Sequence, residues 1–199
     1  RPLPKKNITT TNAVLFSVFI GLFGFFLLSM IKPHGSFYGY LSKSSAFGLL
    51  SLLIYVLSYT PLKRMSTASI FIGAIPGAIP VMLGWVAATD DFGLAVGILF
   101  AIQFFWQFPH FISISWLRDD EYKKAGFKMM YGGKKGKYPA LIATFFAIFM
   151  TVVSTLPFFM NLGFLKLSFF SCSLIFLLGC WFIYNSYNLF SKVDSSCAK

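Results

Sequence analysis

The sequence predicts an all-α, polytopic membrane bundle of about six transmembrane helices, and three observations carry that prediction. The 199 residues are 57% hydrophobic and only 12% charged, about half the charged share of a soluble domain. Mean hydropathy is +0.73; a soluble core of this size has no room for so much apolar surface, whereas lipid solvates it. The apolar residues also fall into six runs, each close to the roughly 20 residues that cross a bilayer as helix. Strands are excluded, because no ten-residue alternating pattern marks a barrel and open strands leave backbone groups unpaired in lipid.

The runs are 13–31, 38–59, 67–88, 92–116, 138–160 and 165–190. Short connections predict antiparallel packing of chain neighbours. The third run carries Pro76 and Pro80 with Gly73, Gly77 and Gly84. Proline removes a helix hydrogen bond, and the Gly73-x-x-x-Gly77 spacing admits a close neighbour. Either a packing kink or a bend that widens a cavity fits that pattern. The 26 phenylalanines face lipid or fill the bundle, and only a minority are free to line a ligand cavity.

Net charge is +11, and its placement explains it better than nucleic-acid binding does. Fourteen of the lysines and arginines lie in 1–12, 60–66, 117–137 and 191–199, against Lys32, Lys43 and Lys166 in the alternate segments. The positive-inside rule puts the fourteen, with loops 60–66 and 117–137, on the cytoplasmic side of a bacterial inner membrane. Cys172 and Cys180 are eight residues apart on one helix, about 12 Å along its axis, too far for a disulfide. Cys197 completes the set, and no metal-ligand spacing is present. The chain starts at Arg1-Pro2-Leu3-Pro4 with no initiator methionine, and is expected to be an internal fragment.

Two loops on the basic side carry candidate chemistry. Tyr59–Thr67 presents Lys63 and Arg64 beside hydroxyls and the start of the next helix; it is either a topology anchor or a clamp for phosphate. The run Arg118-Asp119-Asp120-Glu121-Tyr122 holds three of the six acidic residues. Adjacent carboxylates repel one another, and Mg²⁺, which takes one or two carboxylates plus phosphate oxygens, relieves that repulsion. A solvated acidic helix end is the plainer reading. Together the two loops suggest Mg²⁺ and a diphosphate at a membrane surface. Within the fourth run, Gln103, Gln107 and His110 share one helical face, and polar groups there turn inward, to hydrogen-bond other helices or to serve function. The Gly132–Lys137 segment lacks P-loop spacing and reads as a flexible basic loop.

The stretches YTPLKRMSTASIFIGAIPGAIPVMLGW and FWQFPHFISISWLRDDEYKKAGFKMM closely resemble the haem O synthase family of UbiA-type intramembrane prenyltransferases. The resemblance covers most of 1–130 and extends more loosely over 138–199. It implies that 1–199 is one integral-membrane prenyltransferase domain, incomplete at both ends, of a fold with about nine helices. A first Asp-rich motif would precede Arg1, so the fragment is expected to be inactive alone. The resemblance implies Mg²⁺ on Asp119, Asp120 and Glu121, and farnesyl diphosphate held by Lys63 and Arg64. Haem b would bind near His110, with Gln107, Trp106 and Tyr122 as further substrate contacts and Trp106 or Phe108 facing an allylic cation. The lipid bilayer is the setting, and a haem A synthase is the expected downstream partner. Two departures stand out: Glu121 intervenes before Tyr122, and Ser69 stands where the family often has Asn. A quinone-pathway prenyltransferase is the alternative within the fold; a transporter would instead show mid-membrane charges or repeated halves.

Overall fold

A computed structural model describes Leu3, residues 5–31 and residues 42–193. The sequence expectations that fall on Arg1, Pro2, Pro4, Lys32, Cys197 and Lys199, and the start of the second run at 38–41, lie outside those residues. Among the described residues, six helical spans are long and apolar enough to cross a membrane, so the chain is the all-α polytopic bundle its composition predicts. They are α1 (Thr10–Ser29), the composite span Lys43–Met65, α4 (Ser69–Thr89), α5 (Leu94–Leu117), α7 (Lys137–Phe159) and α8 (Phe169–Lys192). Three of them start on a side chain that accepts a free amide: Thr9 Oγ1 from Asn12, Ser42 Oγ from Ser45 and Ser168 Oγ from Ser171.

The composite span corrects the sequence reading. Residues 60–66 are expected as a loop, yet α2 (Lys43–Leu53), a π-helical stretch (Ile54–Tyr59) and α3 (Thr60–Met65) run on without interruption. The cause lies at Pro61. In a helix interior a proline ring clashes with the carbonyl four residues back. Here Pro61 falls in the first turn of α3, and the wider π turn before it supplies the room. The Thr60 amide reaches Tyr55 O, and the Thr60 hydroxyl donates to the same oxygen at 2.8 Å. Lys63 and Arg64 therefore sit in a last helical turn, where the C-terminal dipole favours cations.

Packing follows chain order: α1 on α2, α2 on α4, α4 on α5, α5 on α7 and α7 on α8. The two inner helices, α4 and α5, bury the most side chains, among them Ile70, Ala74, Ile79, Phe108, Ile112 and Trp116. Pro80 has no amide to give Pro76 O, and the Ser51 hydroxyl of α2 donates there at 3.2 Å. The Gln107 amide of α5 donates to Ala74 O at 3.1 Å. Gly73 and Gly77 make room for these neighbours. A Cβ at Gly73 would stand 2.7 Å from the Tyr59 ring, and one at Gly77 would run into the Gln107 amide. Beside them a groove of about 410 Å³ opens between α2, α4 and α5, lined by Tyr55, Tyr59, Gln107 and Phe111. Cys172 and Cys180 are both free thiols on α8.

Candidate functional site

The polar site forms where α5 ends. Arg118 leaves helical geometry at φ −107°, ψ 21°, and a short α6 (Asp119–Lys124) restarts within the segment expected as loop. Its sequence explains it: Asp119, Asp120 and Glu121 occupy the first turn and Lys123 and Lys124 the last, each sign at the end the helix dipole favours. The three carboxylates then diverge. Asp119 is buried, and its Oδ2 lies 2.7 Å from Lys123 Nζ. Glu121 is exposed and takes both its contacts from Arg118 Nη1, at 2.9 and 3.1 Å. Asp120 is exposed. Among the described residues, no three carboxylate, imidazole or thiol groups gather as a metal cluster.

After α6 the chain turns at Gly126, whose φ of +70° suits glycine, and folds back over the Lys63 turn. The Phe127 amide donates to Tyr122 O at 2.9 Å and the Lys128 amide to Lys63 O at 2.8 Å. The Phe127 ring lies 4.8 Å from Lys63 Nζ and 5.9 Å from Arg64 Cζ, within cation–π range. Below it the buried Ser69 hydroxyl donates to Met129 Sδ at 3.7 Å. The two basic-side segments are thus brought together at one end of the bundle. Between them lies a cavity of about 310 Å³, with Thr67, Ser115, Asp119, Tyr122, Lys123 and Lys128 in its wall.

Electrostatics follow the geometry. The hydrogen bond from Lys123 to Asp119, and the carboxylate charge behind it, raise the lysine pKa. Burial pushes the nearby Tyr131 hydroxyl up to about 12, with Tyr138 adding to it. The donor set suits a hard divalent cation: Asp119 and Asp120 are adjacent carboxylates, and Mg²⁺ needs only one or two with phosphate oxygens completing its shell. Asp120 is in no ion pair among the described residues, whereas Lys123 holds Asp119 and Arg118 holds Glu121.

The remaining candidates separate. Gln107 is turned into α4 and walls the 410 Å³ groove, whereas His110 is exposed and stacks on Trp106 at 4.6 Å. Helical spacing alone put Gln103, Gln107 and His110 on one face; burial divides them. Phe108 is fully buried and stacks on Phe146 at 3.7 Å, so Trp106 is the candidate aromatic with an accessible face. Sequence reasoning missed Phe127, Lys123, Lys128 and Ser115. The Ser115 hydroxyl is buried with no hydrogen-bond partner among the described residues, and its place one helical turn before Asp119 was the available signal.

The fold and this site define an integral membrane protein with an acid–base cluster at one end of a helical bundle. The chain belongs to the UbiA prenyltransferase family, which it matches over residues 1–199. It is 40% identical over all 199 residues to proteins named protoheme IX farnesyltransferase from Flavobacterium psychrophilum and Flavobacterium johnsoniae, covering 63% of each. A protein of the same name from Cytophaga hutchinsonii is 38% identical over 164 residues, 82% of this chain and 54% of that one. The chain therefore spans less than two thirds of the length of these relatives. No solved structure matches it.

Proposed function

We propose that this chain is the larger part of a protohaem IX farnesyltransferase (haem O synthase), an enzyme that moves a farnesyl group from farnesyl diphosphate to a vinyl group of haem b. The observation that carries this reading is 40% identity to protoheme IX farnesyltransferases across the whole chain. The joining of the Lys63 turn to the Asp119 helix supports it.

Lys63 and Arg64 bind the diphosphate, and their charge favours the leaving group as the farnesyl C–O bond breaks and its electron pair stays on oxygen. Asp119 and Asp120 would hold Mg²⁺, which would supply further neutralisation of the diphosphate. Tyr122 shapes the cavity wall beside Asp119. The open face formed by Trp106 and His110 receives the planar porphyrin, and Trp106 offers its ring to the allylic cation. The vinyl π pair then forms the new C–C bond, and water adds to the resulting cation with loss of a proton, leaving a hydroxyethylfarnesyl substituent. In this reading the site faces the cytoplasm in a bacterial inner membrane, and haem O passes to a haem A synthase.

The test is a product assay on the purified full-length protein that contains this chain, with farnesyl diphosphate, Mg²⁺ and either haem b or a quinone-type phenol. Haem O as the main product supports the proposal. Prenylation of the phenol with haem b untouched would return the chain to the quinone-pathway branch.

A further inference from the structure

A carboxylate taken out of water needs a cation beside it, and Asp119 meets that need in a lopsided way. Its side chain is 10% exposed, and the cation it holds is Lys123, whose Nζ lies 2.7 Å from Oδ2. Asp119 sits in the first turn of α6, directly after the break at Arg118. Lys123 is one turn further on, with 56% of its side chain exposed. Leaving one partner of a buried pair alone is strongly unfavourable, whereas a long lysine stem can keep its head in water. The carboxylate is therefore fixed and its cation is exchangeable.

Both residues wall the cavity of about 310 Å³, and a separate observation in the same wall points to a ligand. Helix hydroxyls often donate to the carbonyl four residues back, as Thr144, Thr151 and Ser154 of α7 do at 3.0, 2.9 and 2.7 Å. The Ser115 hydroxyl, in the last turn of α5, makes no such bond. Ser115 is 1% exposed, and its Oγ has no partner among the described residues. An unpaired buried hydroxyl is costly, and an acceptor brought into the cavity relieves it. Lys128 belongs to the same wall and is in no ion pair among the described residues. A hydroxyl and two ammonium groups suit an oxyanion, but Asp119 repels one until a stronger cation takes the lysine's place.

We propose that Lys123 is a further diphosphate-binding residue that reaches its ligand by exchange: a divalent cation replaces it on Asp119, and the freed ammonium pairs with a phosphate oxygen in the cavity, beside the Ser115 hydroxyl. The proposal rests on the farnesyl diphosphate reading above. A divalent cation at Asp119 repels the ammonium, and the incoming diphosphate offers it a new counter-charge. Metal alone must displace the lysine with nothing to receive it, and diphosphate alone finds the lysine already taken. Each ligand therefore favours the other, and the coupling is reciprocal. With neither bound, Lys123 and Asp119 close on each other as the structure shows.

The test uses the purified full-length protein that contains this chain. Mn²⁺ is the metal probe, read by its paramagnetic resonance signal, and inorganic diphosphate is titrated calorimetrically at saturating Mn²⁺. Lys123→Gln and Lys123→Met should each bind Mn²⁺ alone about tenfold more tightly, the scale on which a touching charge shifts a carboxylate. Both variants should bind diphosphate about tenfold more weakly, the scale of a lost charge-assisted hydrogen bond. Lys124 is exposed and in no ion pair among the described residues. Lys124→Gln removes the same charge one position along and should leave both affinities within about twofold. The opposite signs at Lys123 exclude misfolding as their cause, since misfolding weakens both ligands. Unchanged Mn²⁺ affinity in the two Lys123 variants would overturn the proposal, as would weakening of both ligands in both variants. So would an equal shift from Lys124→Gln, which would mean diffuse charge. If the unaltered protein makes haem O while any of these holds, the exchange falls and the farnesyltransferase reading stands. Failure of the unaltered protein to bind diphosphate with Mn²⁺ would overturn both.

Discussion

The two ends of the bundle handle charge in opposite ways. At one end Lys43, at the start of α2, meets Asp90, which closes α4 in the left-handed conformation at φ 56°. The lysine ammonium lies 3.0 Å from the Asp90 carboxylate and 2.8 Å from its backbone oxygen. One cation and one anion from different helices satisfy each other and pin a turn. At the other end Asp119, Lys123 and Lys128 line a cavity, and Lys63, Arg64, Arg118, Asp120 and Glu121 lie on the segments that meet there. Their ion pairs are local, Lys123 with Asp119 and Arg118 with Glu121, one helical turn apart. The Arg118–Glu121 pair is exposed and therefore weak, while the Asp119 carboxylate of the other pair is buried. Among the described residues, Lys63 and Arg64 meet the Phe127 ring and, for Lys63, that of Tyr59, and neither is in an ion pair. The first arrangement is sufficient for structure, whereas the second holds more charge than structure needs, which is the condition for binding a charged ligand.

Substitutions at the two ends should therefore separate activity from stability. In the full-length protein that contains this chain, Asp119→Asn should lower Mg²⁺-dependent farnesyl transfer about a hundredfold or more with little change in melting temperature; near-normal turnover would reduce Asp119 to a partner of Lys123. Lys63→Ala with Arg64→Ala should raise the KM for farnesyl diphosphate about tenfold or more, the scale of lost charge-assisted hydrogen bonds. An unchanged KM would make that turn a topology anchor like its counterpart. Lys43→Met should do the reverse, leaving turnover within about twofold while costing about 1 kcal/mol or less, as partly exposed pairs do. A thermal scan in detergent measures it, and a large loss of turnover would collapse the contrast between the ends.

The smallest effect belongs to Tyr131. Its ordinary value is 10.0 and its folded value about 12, so the folded chain keeps a proton that the unfolded chain releases. Stability should thus be independent of this group below pH 10 and fall as pH rises from there to about 12. Phenolate absorbance should show a late-titrating component, and Tyr131→Phe should diminish it.

Hydrophobic run length made the six spans legible, because lipid imposes a length on every crossing helix. The fifth and sixth runs begin within a few residues of Lys137 and Phe169 for that reason. The Met65 end was not legible: Pro61 signals a break in any local reading, and only the preceding π turn shows how the helix continues. Asp119 and Lys63 were identified as candidates, but not the bond between Lys128 and Lys63 O that joins their segments, since it uses backbone atoms that every residue carries. The separation of Gln107 from His110 depends on where α4 lies, which the period of α5 does not encode.

The π stretch Ile54–Tyr59 has one more consequence. A π turn holds one residue more than the α-helical turn it replaces, and each α-helical residue advances the helix by about 100°. Everything beyond Tyr59 is therefore indexed one position away from the register that α2 begins. That offset is what aims Lys63 and Arg64 at Phe127 and the α6 segment. Deleting a single residue within 54–58 would restore an unbroken α-helical count and swing both cations about 100° around the helix. The whole charge inventory would survive, while the basic pair turned away from the acidic one, and under the proposed function the change should read as a lost affinity for diphosphate. The basic pair is thus aimed by a counting irregularity in the uncharged residues that precede it.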